Sequence, residues 1–170
     1  FAGYVTYAWM YNQMLVPDED LIHFEDMSPG TEFPLGPKQV TAEEIVEFAR
    51  EYDPQPMHLD ATAGEATILG GLAASGWHSC AMMMRMMTDS YLLRAAAEGA
   101  PGLDYVKWKR PVLAGDVLSG ETRVLDRRQS KSRPSIGIVS LRHELRNQRG
   151  ETVLLSENPV MMRLRAKQES

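Results

Sequence analysis

Residues 75–93 read SGWHSCAMMMRMMTDSYLL. From Trp77 to Leu93 the only charges are Arg85 and Asp89, so a helix here has no continuous polar face and must bury most of its circumference. Ser75 is a suitable N-cap for it. Five of the chain's 11 methionines fall between Met82 and Met87, giving this helix a soft, adaptable surface. Downstream, residues 104–112, 116–126, 136–146 and 152–165 read as strands. The third alternates cleanly, with Val139, Leu141, His143 and Leu145 against Ser140, Arg142, Glu144 and Arg146. Asn147-Gln148-Arg149-Gly150 supplies a hairpin turn, and Pro159 predicts an edge position or a bulge in the last strand. One apolar helix beside long antiparallel strands predicts an α+β fold in which a curved sheet wraps the helix.

Upstream, residues 17–36 are acidic and turn-rich and leave room for one short strand. Thr41 and Glu44 form a capping-box signature, with Ile45, Phe48, Ala49 and Tyr52 on one helical face. Asp53-Pro54 stops that helix, because the residue before a proline is pushed out of the α region. The segment Asp53-Pro54-Gln55-Pro56-Met57-His58 is predicted to be a short, stiff, extended connection with an acid at one end and an imidazole at the other. Small residues then dominate up to Gly76, as in a loop packed close to its neighbours.

The 170 residues suit one domain, expected over 17–170, with 1–16 an N-terminal extension or an expression remnant, uncharged and rich in aromatics. A single cysteine, Cys80, excludes an internal disulfide and a cysteine-based zinc cluster and suits a reducing, cytoplasmic setting. A formal net charge of -5 argues against broad binding to nucleic acid or anionic membrane. No apolar run approaches the roughly 18 residues of a spanning helix. Phosphate-loop, dinucleotide, nucleophile-elbow and zincin motifs are all missing, which leaves acid/base chemistry by a few side chains.

For that chemistry the strongest pair is Asp53 with His58. From spacing alone two readings stand open: a helix-stop acid beside a surface histidine, or two groups converging on one small molecule, the imidazole positioning a water and the acid taking and returning its proton. The stretch from Asp53 to Ala63, with Pro56, His58 and Asp60, resembles the hydratase motif of the MaoC-like (R)-specific enoyl-CoA hydratase/dehydratase family. It differs at Gln55, where the pattern has Asn, at Met57, where an aliphatic residue is usual, and at Glu51-Tyr52, where Ser/Thr-Gly often precedes the acid. The resemblance spans about residues 22 to 166, including Pro111 to Asp116.

The resemblance implies a hot dog fold, an antiparallel sheet wrapped around one long central helix. It implies Asp53 and His58 as the catalytic pair acting on water at C3 of a trans-2-enoyl thioester. Gly76, opening the helix, is implied as an oxyanion donor. Gln55, Ser75, Trp77 and Arg128 are the candidate substrate-binding residues, with Arg128 in a basic cluster (Arg127, Arg128, Lys131, Arg133) that reads either as a solvated hairpin end or as a coenzyme A phosphate site. No metal or redox cofactor is implied, coenzyme A being part of the substrate. A homodimer or higher homo-oligomer is implied, and a sheet around one helix leaves edges to cover. Cys80 and His143 are read as packing residues, His78 as packing, surface or site-lining, and the methionines as core or as the border of an acyl pocket. A thioesterase and a non-catalytic acyl-CoA-binding or assembly protein are the competing functions.

Overall fold

Alternation decides the centre of the sheet. In the computed structural model, which describes residues 16–166, β5 (Ile136–Arg146) turns Val139, Leu141, His143 and Leu145 inward as its sequence predicts. It pairs antiparallel with β4 (Val117–Gln129) and with β6 (Thr152–Arg163). On the far side of β4 lies β1 (Glu32–Gln39), and β2 (Ala97–Gly99) and β3 (Tyr105–Trp108) share the outer edge of β6. The turn after β5 closes through a Gly150 N–H bond to the Asn147 carbonyl, with Gly150 at φ +74°. Pro159 sits where β3 has stopped pairing at Glu157 and β2 begins pairing at Met161, so it occupies a local edge.

The central helix runs over Gly76–Ser90 and, by chain order, is the fourth. Ahead of it are α1 (Ala42–Tyr52), α2 (Pro56–Leu59) and α3 (Ala61–Glu65), and the central helix is hereafter α4. Met82, Met83, Met86 and Met87 of α4 are buried in one core with Val124, Val139, Leu141, Leu145 and Leu154 of the sheet. Each such side chain contributes about 1.5–3 kcal/mol relative to exposure. This is the expected α+β arrangement of a sheet wrapped around one helix. Burial is narrower than the composition predicts: one sheet covers one face, and the opposite stripe leaves Trp77 62 % and Met84 52 % exposed. The helix also stops at Ser90, and Leu92–Arg94 form a 3₁₀ turn.

Three local expectations need correction. The segment after Asp53 is not extended throughout, because Pro56 takes the first position of α2, where its missing N–H costs nothing. Asp60 then caps α3 by accepting from the Ala63 N–H at 2.8 Å, so two motif residues are tied together structurally. The strand expected to reach Val112 ends at Trp108, where the Lys109 and Arg110 N–H groups both turn to the Val153 carbonyl and Pro111 follows. The Thr41–Glu44 capping box is present, and Phe48 of α1 stacks on His78 of α4 at 4.6 Å, making His78 a packing residue. Tyr52, assigned to the buried face, is exposed. The expected extension over 1–16 lies almost wholly outside the described residues. No helix among the described residues is long and apolar enough to cross a membrane.

Beneath α4 a polar row crosses the sheet. Thr122 Oγ1 donates to His143 Nδ1 and His143 Nε2–H donates to Asn158 Oδ1, both at 2.8 Å, so the buried ring is a satisfied neutral imidazole. Burial lowers its pKa from the ordinary value, against a smaller opposing effect of Asn158. The unfolded chain therefore takes up this proton first, near the usual histidine value of about 6.5, and stability falls as pH drops from there toward the lower folded pKa. Urea unfolding at pH 7.5 and 5.5 is predicted to show a larger acid loss for the wild type than for His143→Gln. Equal losses would exclude this histidine as a source of acid sensitivity.

Candidate active site

The end of α1 and the start of α4 meet at Asp53. Its backbone N–H closes α1 on the Ala49 carbonyl, while its carboxylate reaches Ser75, the N-cap of α4. The Ser75 hydroxyl donates to Asp53 Oδ2 at 2.6 Å, and Gln55 Nε2 donates to Oδ1 at 2.7 Å. These two bonds, Ser75 first, hold the Asp53 pKa below the ordinary carboxylate value, so the group is ionised at neutral pH. Ser75 Oγ also accepts from the Trp77 N–H at 3.3 Å. Its proton and a lone pair are both committed, which makes Ser75 a cap and a carboxylate holder.

His58, on α2, is 7 % exposed. Its Nδ1–H donates to the Ala73 carbonyl at 2.7 Å, so in the neutral ring Nε2 is the nitrogen that carries the lone pair. That nitrogen faces Asp53 Oδ2 at 3.6 Å. A carboxylate oxygen and a basic ring nitrogen thus stand side by side, each able to accept a proton from one small donor.

Both border a cavity of about 470 Å³. Its other walls come from the start of α4 (Gly76, Trp77, Ser79), from apolar Met57, Leu69, Ala73 and Ala74, and from residues 108–112. Gly76 is fixed by its neighbour: a Cβ there would lie 2.7 Å from the Trp108 ring. Trp108 Nε1–H in turn donates to the Gly76 carbonyl at 2.9 Å, and its ring meets Trp77 edge to face at 5.6 Å. The Gly76 N–H, first in the helix, has no hydrogen-bond acceptor among the described residues.

Of the sequence-predicted residues, Asp53, His58, Gly76, Gln55, Ser75 and Trp77 all line this cavity. Arg128 does not. Trp108 is level with Leu154, Leu145 and Gly120 across the sheet, and Arg128 lies eight residues further along β4, roughly 25 Å away at ~3.3 Å per residue. Arg127 of the same cluster is engaged elsewhere, donating to the carbonyls of Phe24 and Glu25 at 2.8 and 2.6 Å. Sequence reading missed Trp108, Lys109 and Arg110, which come from a segment taken for plain strand; the run of one aromatic, two cations and a proline was the available signal. Cys80 is half-buried, and burial pushes its thiol pKa up, which suits packing. Among the described residues no group of three or more His, Cys, Asp or Glu side chains could hold a metal ion.

Comparison with known proteins bears on the fold and the family. A MaoC-like dehydratase from Rhodospirillum rubrum is 40 % identical with a TM-score of 0.80, covering 86 % of this chain and 99 % of its own. A monoamine oxidase regulatory protein from Archaeoglobus fulgius is 26 % identical, with a TM-score of 0.78 and coverage of 89 % and 100 %. The R-hydratase PhaJ1 from Pseudomonas aeruginosa, 21 % identical with a TM-score of 0.69 and coverage of 88 % and 93 %, shares the fold. The wrapped-helix architecture is the hot dog fold. Residues 26–145 match the MaoC-like domain, and with the acid, the histidine and the helix start assembled on one cavity, the chain belongs to the MaoC-like domain family.

Proposed function

We propose that the protein is a hydro-lyase that reversibly adds water to the double bond of a trans-2-enoyl-CoA or related acyl thioester, giving the 3-hydroxyacyl thioester. The observation that carries this reading is the pairing of ionised Asp53 with the free Nε2 of His58, 3.6 Å apart on a cavity wall. Water bound there donates one hydrogen bond to Asp53 Oδ2 and one to His58 Nε2. The bonds from Ser75 and Gln55 that hold Asp53 ionised also make it a weaker base, so the imidazole takes the proton and Asp53 steadies the resulting cation. As oxygen bonds to C3, the π pair shifts through C2 to the thioester oxygen, where the Gly76 N–H meets the charge. The pair then returns, and C2 takes the proton back from His58. All of this is acid/base chemistry that calls on no metal or redox cofactor.

Purified protein is predicted to consume the conjugated enoyl absorbance of a crotonyl-CoA-type substrate without releasing thiol. Thiol release with the double bond retained would instead mark a thioesterase. The relative named as a regulatory protein favours a second reading, in which the cavity binds acyl-CoA without turnover. Saturable binding with no hydration across acyl lengths would select it.

The same reading includes a homodimer. Trp77, Met84 and Trp108 are exposed apolar side chains on α4 and β3, and β3 pairs only with β6 among the described strands. Light scattering is predicted to give a dimer for the wild type and a shift toward monomer for Met84→Glu. A monomeric wild type at working concentration would refute the dimer.

A further inference from the structure

We infer that Lys109 and Arg110 form a phosphate-binding rim on the cavity, taking the phosphate that follows the pantetheine arm of the acyl carrier. This rests on the hydratase reading, since the thioester carriers in question share that phosphate. Lys109 and Arg110 are the two cationic side chains lining the cavity. They also line a second hollow on the outer face of the sheet, beside Arg142, Glu151 and Thr152, so they stand on the ridge between the catalytic cavity and the outer surface. A ligand whose reactive end sits at Asp53 and His58 and whose other end reaches the outer hollow crosses this ridge.

The charges there are available. Lys109 has no carboxylate within 4.0 Å among the described residues, and Arg110 makes one contact, Nε to Glu151 Oε1 at 3.4 Å. Glu151 is already shared with Arg149 Nε at 2.8 Å and Asn147 Nδ2 at 3.0 Å. Arg142, by contrast, is spent on Glu157 at 2.6 Å. The backbone of the ridge is held in advance, with the Lys109 and Arg110 N–H groups on the Val153 carbonyl at 2.8 and 3.5 Å and Pro111 next. In a protein of net charge -5, two cations at the mouth of the cavity, Lys109 with no carboxylate partner among the described residues and Arg110 sharing Glu151 with Arg149, give a local positive spot for an anion.

The test compares an enoyl group carried on coenzyme A, on 4′-phosphopantetheine and on pantetheine, using wild type, Lys109→Gln, Arg110→Gln and the double variant. For each single variant, kcat/KM for the two phosphate-bearing thioesters is predicted to fall about five- to tenfold relative to the pantetheine thioester, through KM. An equal loss on pantetheine would overturn the inference. So would a loss confined to coenzyme A, which would put the contact on the nucleotide. Calorimetric binding of coenzyme A itself separates the two readings: weaker binding by the variants in a protein without turnover keeps the rim and discards the hydratase, and unchanged binding discards the rim.

Discussion

Asp53→Asn lowers enoyl-thioester hydration by about 10²–10⁴-fold, the span of the proton transfer at His58 that its charge supports, with the fold retained. The substitution is nearly isosteric. Asn Oδ1 can still accept from Ser75, and the Gln55 amide can rotate so that its oxygen faces the new NH₂ group, so both links of Asp53 to its neighbours survive. What disappears is the negative charge beside His58 Nε2. Circular dichroism and melting should therefore match the wild type while kcat collapses. His58→Ala is predicted to do the same to rate, but it also leaves the Ala73 carbonyl, buried with Ala73, without its donor, at a stability cost of about 1–3 kcal/mol.

Gly76→Ala is the second large effect. The added Cβ meets the Trp108 ring at 2.7 Å, closer than such contacts allow, so either the indole or the first turn of α4 must move. Moving the indole breaks its bond to the Gly76 carbonyl, and moving the turn displaces the free N–H from the thioester oxygen. Losing one oxyanion donor costs about 2.7–4 kcal/mol, or 10²–10³ in kcat. The predicted signature is a fall in kcat with a much smaller change in KM. A Gly76→Ala enzyme of wild-type kcat would remove Gly76 from the chemistry.

The fold was legible where burial follows a simple period. β5 alternates because one face lies on α4, and its bounds, Ile136–Arg146, match the sequence reading. α4 was legible as buried, but composition could not reveal that its Trp77 and Met84 stripe lacks cover, since that depends on how far one sheet wraps. Three-residue β2 carries no pattern of its own and exists through its pairing with Met161 and Met162.

The site divides in the same way. Asp53 and His58 lie on one continuous segment, so spacing and motif exposed them, whereas the acceptors and donors that tune them, Ala73 and Ser75, lie 15 and 22 residues away along the chain. Ser75 was noted as a cap, and only the approach of α1 to α4 adds its bond to Asp53. Arg128 was drawn in by local charge density, which cannot say which end of a strand faces a cavity. Lys109 and Arg110 were passed over because a strand reading treats charges as solvent-facing, while the chain in fact turns at Pro111 along the rim of the site.

Hydration in heavy-oxygen water, read by mass spectrometry, tests the central claim most directly. Wild-type protein is predicted to convert a short trans-2-enoyl-CoA to the 3-hydroxyacyl-CoA with the heavy oxygen on C3 and the thioester intact, and Asp53→Asn and His58→Ala to reduce this by orders of magnitude. Heavy oxygen found only in a released carboxylate, or label at C3 undiminished in both variants, would contradict it.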